Sequence, residues 1–130
     1  MVLFIKISLL VLLSLLVVCH SLILAKIIPY KVVWGSRLKT DKDMYRMEAF
    51  STLIMIIFVI VMLHSIQFIS LSFLENILPF IYWGMGIVFG VSGLGNALSK
   101  SRIEKLIFTP IAILLSGGAL FLGIYYSFLV

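Results

Sequence analysis

A chain of 130 residues that is 63% hydrophobic and 12% charged, with a mean hydropathy of +1.27, is not an ordinary soluble domain, which is about 45–50% apolar and about 25% charged. A soluble fold of this size exposes too large a share of its surface to hide that much apolar side chain, so the bilayer is the expected solvent. The net charge of +5 then points to loops beside anionic lipid rather than to nucleic acid.

Four runs are long enough to cross a hydrocarbon core, which takes about 20 helical residues. They lack the alternation of barrel strands, so the expected fold is an all-α integral membrane protein. A single domain, 1–130, forms a bundle of four transmembrane helices spanning about 2–28, 47–69, 79–98 and 110–129. The first run is interrupted only by Lys6 and His20. Lys6, an apolar core and Ala25 resemble parts of a signal peptide, but the apolar stretch is longer than a signal core. Cys19 is the one cysteine and excludes an internal disulfide.

The segment after the first span is the anomaly: residues 34–50 carry seven of the fifteen formal charges. Lys26, Lys31, Arg37, Lys39, Lys42 and Arg46 surround this first connection. Lys100, Arg102 and Lys105 occupy the third, and the second, 70–78, has no basic residue. Positive charge marks the cytoplasmic side. The pattern therefore predicts a multi-pass inner-membrane protein with loops 29–46 and 99–109 cytoplasmic and both termini outside, with Lys6 the one dissenter. Tyr30, Trp34 and Tyr45 suit an interfacial belt. Within the same loop, Arg37, Gly35 and Lys39 form a candidate contact for an anionic lipid head group, by bidentate charge and close backbone approach.

The connections also carry helix-start signals. Thr40-x-x-Asp43, Ser72-x-x-Glu75 and Ser101-x-x-Glu104 resemble capping boxes, which gives three of the five acidic residues a structural task. Pro79 and Pro110 lie too far beyond these caps for a tolerated first turn. Either the helices kink at these prolines or short interfacial segments, about 73–78 and 102–109, precede the true spans; the second is expected.

Ionisable groups inside spans are functional candidates. With a rise of about 1.5 Å per residue, His20 lies roughly 9 Å inside Lys26, Asn96 roughly 6 Å inside Lys100, and Glu48 roughly 3 Å past Arg46. His20, Glu48 and Asn96, with Arg46, are thus a candidate inner-leaflet polar site, able to hold a proton or orient a head group. His64 falls in the outer half. No metal site is expected, because Cys19 and His20 are adjacent and point about 100° apart. Nor is there a catalytic-serine, phosphate-loop or dinucleotide motif, and no cofactor is expected. The first span also lacks the carboxylate on which small multidrug-resistance antiporters rely.

Small residues recur in the last two spans. Gly86, Gly90, Gly93 and Ala97 fall on one face of the third, and Ala112, Ser116, Ala119 and Gly123 on one face of the fourth. Such stripes allow close backbone approach in lipid, and the short connection makes the two helices antiparallel neighbours. One stripe could instead serve a homo-oligomer. Four helices are too few to enclose a pore, so the leading expectation is a non-enzymatic accessory or transport-related subunit of a homo-oligomer or a larger membrane partner. The alternative is a membrane enzyme or binding protein acting on lipid head groups at the inner leaflet.

Overall fold

The computed structural model describes residues 1–34 and 37–130, and the described chain is helical. α1 (Val2–Leu24) is followed by a short α2 (Lys31–Trp34) and by α3 (Asp41–Ser65). A second short helix, α4 (Ser72–Glu75), precedes α5 (Leu78–Ala97). The fourth long helix is a π turn (Glu104–Phe108), α6 (Thr109–Ile124) and a second π turn (Tyr125–Leu129). Four of these helices, Val2–Leu24, Asp41–Ser65, Leu78–Ala97 and Glu104–Leu129, are long and apolar enough to cross a membrane. Their outward faces carry large apolar side chains such as Phe4, Leu15, Phe50, Phe80, Leu106 and Phe128, as a lipid-facing surface requires.

The helix ends explain most boundary differences from the sequence expectation. Thr40 Oγ1 accepts the Asp43 N–H at 3.1 Å, so α3 starts at Asp41, with two acids complementing the helix dipole in its first turn. α1 and α3 end alike. Lys26 (φ 59°) and Gln67 (φ 64°) take the left-handed conformation. The N–H groups of Ile27 and Phe68 then reach back to Leu22 and Leu63 at 2.9 and 3.0 Å, which closes a Schellman-type terminus. The reversal carries the exposed Lys26 ammonium to Asp41 at 2.7 Å, and this hydrogen bond and charge hold it above its ordinary pKa.

Two cap readings are corrected. Ser72 makes no side-chain cap, because α4 starts with Leu71 in the N-cap position. Ser101 Oγ does accept the Glu104 N–H at 3.4 Å, but the Glu104 carboxylate turns elsewhere. Pro79 sits in the first turn of α5 after a separate short helix, as expected. Before Pro110, by contrast, the helix is continuous. A π turn takes up the strain, and Thr109 Oγ1 donates to Glu104 O at 3.0 Å. Widening one turn lets a proline follow without a break.

α5 packs chiefly on α6, α3 chiefly on α1, and α1 also touches α6. The core joins Leu9, Leu13, Met55, Met62, Tyr82, Met85, Phe89, Leu115 and Leu122. Between α5 and α6 the small residues meet. A Cβ on Gly86 would lie 2.4 Å from Leu120, one on Gly90 3.3 Å from Ser116 Oγ, and one on Gly93 3.5 Å from Ala112. Ser116 Oγ donates to Gly86 O at 2.7 Å, while Trp83 lies against Gly123. Ala97 is exposed beyond the end of this contact.

Lys6, the dissenter, is buried at the far end from the basic loop. Its Nζ donates to Ser65 O at 2.8 Å and sits 4.9 Å from the Tyr126 ring centroid, while the Ser65 hydroxyl bonds the Tyr82 hydroxyl. One knot therefore joins α1, α3, α5 and the last π turn. His64 Nδ1 accepts the Leu71 N–H at 3.2 Å, which ties down the connection after α3.

Close packing at Gly86 makes a specific demand. Gly86→Leu should lower stability by about 1–3 kcal/mol, the usual cost of overpacking, whereas Ile87→Leu, on a side chain 63% exposed, should be nearly silent. Unfolding of the two variants in mixed detergent micelles checks this.

Candidate functional site

The buried faces of α1 and α3 run straight into their polar residues. Leu9, Leu13, Leu16 and His20 lie on one stripe of α1, and Met44, Glu48, Thr52 and Met55 on one of α3. Because α1 and α3 pack along these stripes, His20 and Glu48 meet. His20 Nδ1 lies 2.6 Å from Glu48 Oε2, with Glu48 fully buried. Glu48 Oε1 takes the indole N–H of Trp34. An indole can only donate, so Glu48 acts as an acceptor there. The carboxylate fixes the ring's orientation, leaving Nε2 as its uncommitted nitrogen.

A second buried carboxylate lies across the loop. Glu104, 1% exposed, takes Arg37 Nη2 at 2.5 Å and the Ser99 hydroxyl. The Arg37 guanidinium is fixed further by Nε donating to Trp34 O at 3.1 Å and Nη2 to Val33 O at 3.4 Å. It stands 5.3 Å from the Trp34 ring. Its Nη1 reaches across to α5, 3.5 Å from where a Cβ on Gly95 would be. Any side chain there would crowd the guanidinium.

The loop is more than a solvated arm. Val33 and Met44 form a small core with Ile23, against Trp34, Leu38 and Phe108, and Ser101 Oγ donates to Val32 O at 2.6 Å. This packing drives Trp34 and Arg37 between the helix ends.

Together these groups face a cavity of about 380 Å³. Its polar lining is His20, Trp34, Arg37, Ser51, Ser92 and Asn96, and its apolar lining includes Leu16, Met55, Phe89 and Ile111. Val88 and Val91 of α5 also line it and are 43% and 65% exposed. The cavity therefore opens sideways, between α3 and α5. Farther along, Phe58 and Phe89 close that gap, with ring centroids 5.8 Å apart. Among the described residues no carboxylate lines the cavity: Glu48 and Glu104 stand behind it and hold the groups that do.

Of the residues marked in the sequence, His20 and Glu48 are in direct contact, and Asn96 and Arg37 share the cavity with His20. Arg46 is exposed and stands apart: two residues before Glu48, it points about 200° around the helix. Lys39 is exposed in the loop, away from the cavity lining, and Gly35 lies outside the described residues. In the sequence Trp34 suits an interfacial belt, Glu104 fits a cap and Ser99 carries no signal. Trp34 shows only through the folding of its loop, and Glu104 through a π turn that helical periodicity does not encode.

Removing the Glu48 carboxylate strands two donors. Glu48→Ala should cost more than Glu48→Gln, by about 1–3 kcal/mol for each N–H left unpaired, as chemical unfolding in detergent would show.

The chain matches no family model, no curated protein and no solved structure.

Proposed function

We propose that this protein is a four-helix membrane bundle, with both termini outside and both basic loops in the cytoplasm, that binds a lipid head group in the cytoplasmic leaflet. The observation that carries the reading is the cavity itself. Polar groups crowd its loop end, its walls are apolar, and its mouth opens sideways among exposed valines. A purely aqueous ligand has no use for a sideways apolar entrance. An amphiphile does, because its head meets Arg37, His20 and Asn96 while its chains stay in the bilayer. Charge-assisted contacts to a fixed guanidinium suit an anionic head. The two basic connections support the orientation through the positive-inside tendency. Lys6 does not oppose it, since its charge is spent on Ser65 O and the Tyr126 ring. Of the two expectations drawn from the sequence, lipid-site or accessory subunit, only the first has an observation of its own. The function proposed is binding; no chemical step is required.

Orientation is tested by labelling with an impermeant thiol reagent in a Cys19→Ala background. Thr40→Cys should be protected in intact cells and react after permeabilisation; reaction in intact cells would reverse the assignment.

Ligand binding is tested by mass spectrometry of lipid retained through mild purification. The parent should hold anionic lipid. Arg37→Gln should lose it roughly tenfold or more, since a charged hydrogen bond contributes about 1.5–3 kcal/mol. Val88→Trp, at the mouth, should exclude lipid without touching the polar groups. Equal retention by the parent and both variants would sink the proposal.

A further inference from the structure

The lining of the cavity says more about the head group than that it is anionic. Among the described residues every charged group it presents is cationic or able to become so: Arg37 and His20. Both acids are turned away, Glu48 to His20 and Trp34, Glu104 to Arg37 and Ser99. A zwitterionic head would bring an ammonium into a chamber with no carboxylate to receive it. Burying an unpaired charge is strongly unfavourable.

The two cationic groups also differ in kind. Arg37 is permanently charged, and three hydrogen bonds through Nε and Nη2 leave Nη1 directed toward α5. His20 has Nδ1 committed to Glu48, so Nε2 is the nitrogen available to a ligand. In the neutral ring Nε2 bears a lone pair and repels a phosphate oxygen. Once protonated, it donates to that oxygen, and the imidazolium lies between two anions, the Glu48 carboxylate and the ligand. The other groups near the ring do not compete for this role. Cys19 neighbours it on α1, Arg37 faces the same cavity from the loop, α3 contributes the neutral Ser51 and Met55 beside Glu48, and the polar groups of α5 in the lining are the neutral Ser92 and Asn96. The α6 side contributes the apolar Phe108, Ile111 and Ala112.

Resting on the lipid-binding reading above, we infer that the site selects a phosphodiester head group without an ammonium, such as a glycerol-type head, and that binding takes up one proton on His20 Nε2. The imidazole thereby makes lipid occupancy sensitive to pH. A phosphodiester keeps one negative charge throughout, so the proton change belongs to the protein. Binding therefore strengthens as the pH falls and weakens as it rises.

The test uses the full chain with Trp83→Phe, leaving Trp34 as the fluorescent reporter inside the cavity, in phosphatidylcholine nanodiscs. Phosphatidylglycerol is titrated in between about pH 5 and 8, where histidine is the usual titrating side chain. Its apparent Kd should rise toward about tenfold per pH unit on the alkaline side, the limit for one linked proton. Phosphatidylethanolamine should bind at least tenfold more weakly. His20→Gln should abolish the pH slope. Glu48→Gln, which keeps the shape but removes the charge behind the imidazolium, should weaken phosphatidylglycerol binding at pH 5 several-fold and change it little at pH 8; a purely structural role would weaken both alike. Soluble glycerol phosphate should fail to compete; competition equal to that of the lipid would overturn the inference, the source then being a free phosphate ester. Phosphatidylglycerol binding with no pH slope, or equal phosphatidylethanolamine binding, overturns this inference but leaves the lipid site standing. If neither lipid binds at any pH, the lipid site falls as well.

Discussion

Two carboxylates without access to water organise one end of this protein. A buried carboxylate costs several kcal/mol unless donors surround it, and Glu48 and Glu104 are 0% and 1% exposed. Each collects two donors from different parts of the chain: His20 of α1 and Trp34 of α2 for Glu48, Arg37 of the loop and Ser99 of the α5–α6 connection for Glu104. The loop after α1 is thereby pinned at Trp34 and Arg37 to both long-helix pairs. What reaches the cavity is the reverse side of these bonds, the Nε2 of a ring and the Nη1 of a guanidinium. The same interactions that make burial tolerable hold His20 and Arg37 at the cavity wall.

The far end uses neutral groups and one cation. Lys6 finds a backbone carbonyl at the end of α3 and a tyrosine ring on the last turn, an arrangement in which a desolvated cation–π contact is worth about 2 kcal/mol. Between the two polar ends, α5 and α6 rely on contact between small residues, where dispersion replaces the hydrophobic drive that lipid removes. Between the polar ties at the two ends, the cavity lies among α1, α3, α5 and α6, with Ser51 and Met55 of α3 and Val88 and Val91 of α5 in its lining.

Much of this was legible in the sequence. Run length and charge scarcity alone gave four helices, and the fixed rise per residue gave His20, Glu48 and Asn96 a common height. Height is not azimuth, however. Arg46 shares the depth but is carried to the opposite face by two residues of rotation, whereas His20 continues the Leu9, Leu13, Leu16 stripe and turns inward. Arg37 stands out in the sequence as a candidate head-group contact, but its meeting with His20, and the inward turn of Trp34, do not. Their positions depend on Val33 and Met44 burying themselves under the helix ends, a tertiary event that no local pattern announces. Glu104 is ambiguous in sequence because Ser101-x-x-Glu104 satisfies the capping spacing, and a carboxylate so placed can serve either the backbone or a distant arginine.

The π turn before Pro110 changes the phase of the fourth long helix. In an uninterrupted α-helix the eight residues from Glu104 to Ala112 would leave them about 80° apart around the axis. One extra residue in the turn takes up about 100° of that rotation and brings them to within about 20°. The carboxylate that holds Arg37 thus shares a face with the small residues that grip α5. The helix carries two sequence frames, one for packing and one for polar contact, and the wide turn is the joint that brings them into line. A plain α-helix one residue shorter here would give the same alignment, so deleting one residue within the turn should remove the bulge and keep Glu104 on the packing face, whereas straightening the turn with its length unchanged would swing Glu104 about 80° away and separate assembly of the helices from assembly of the site.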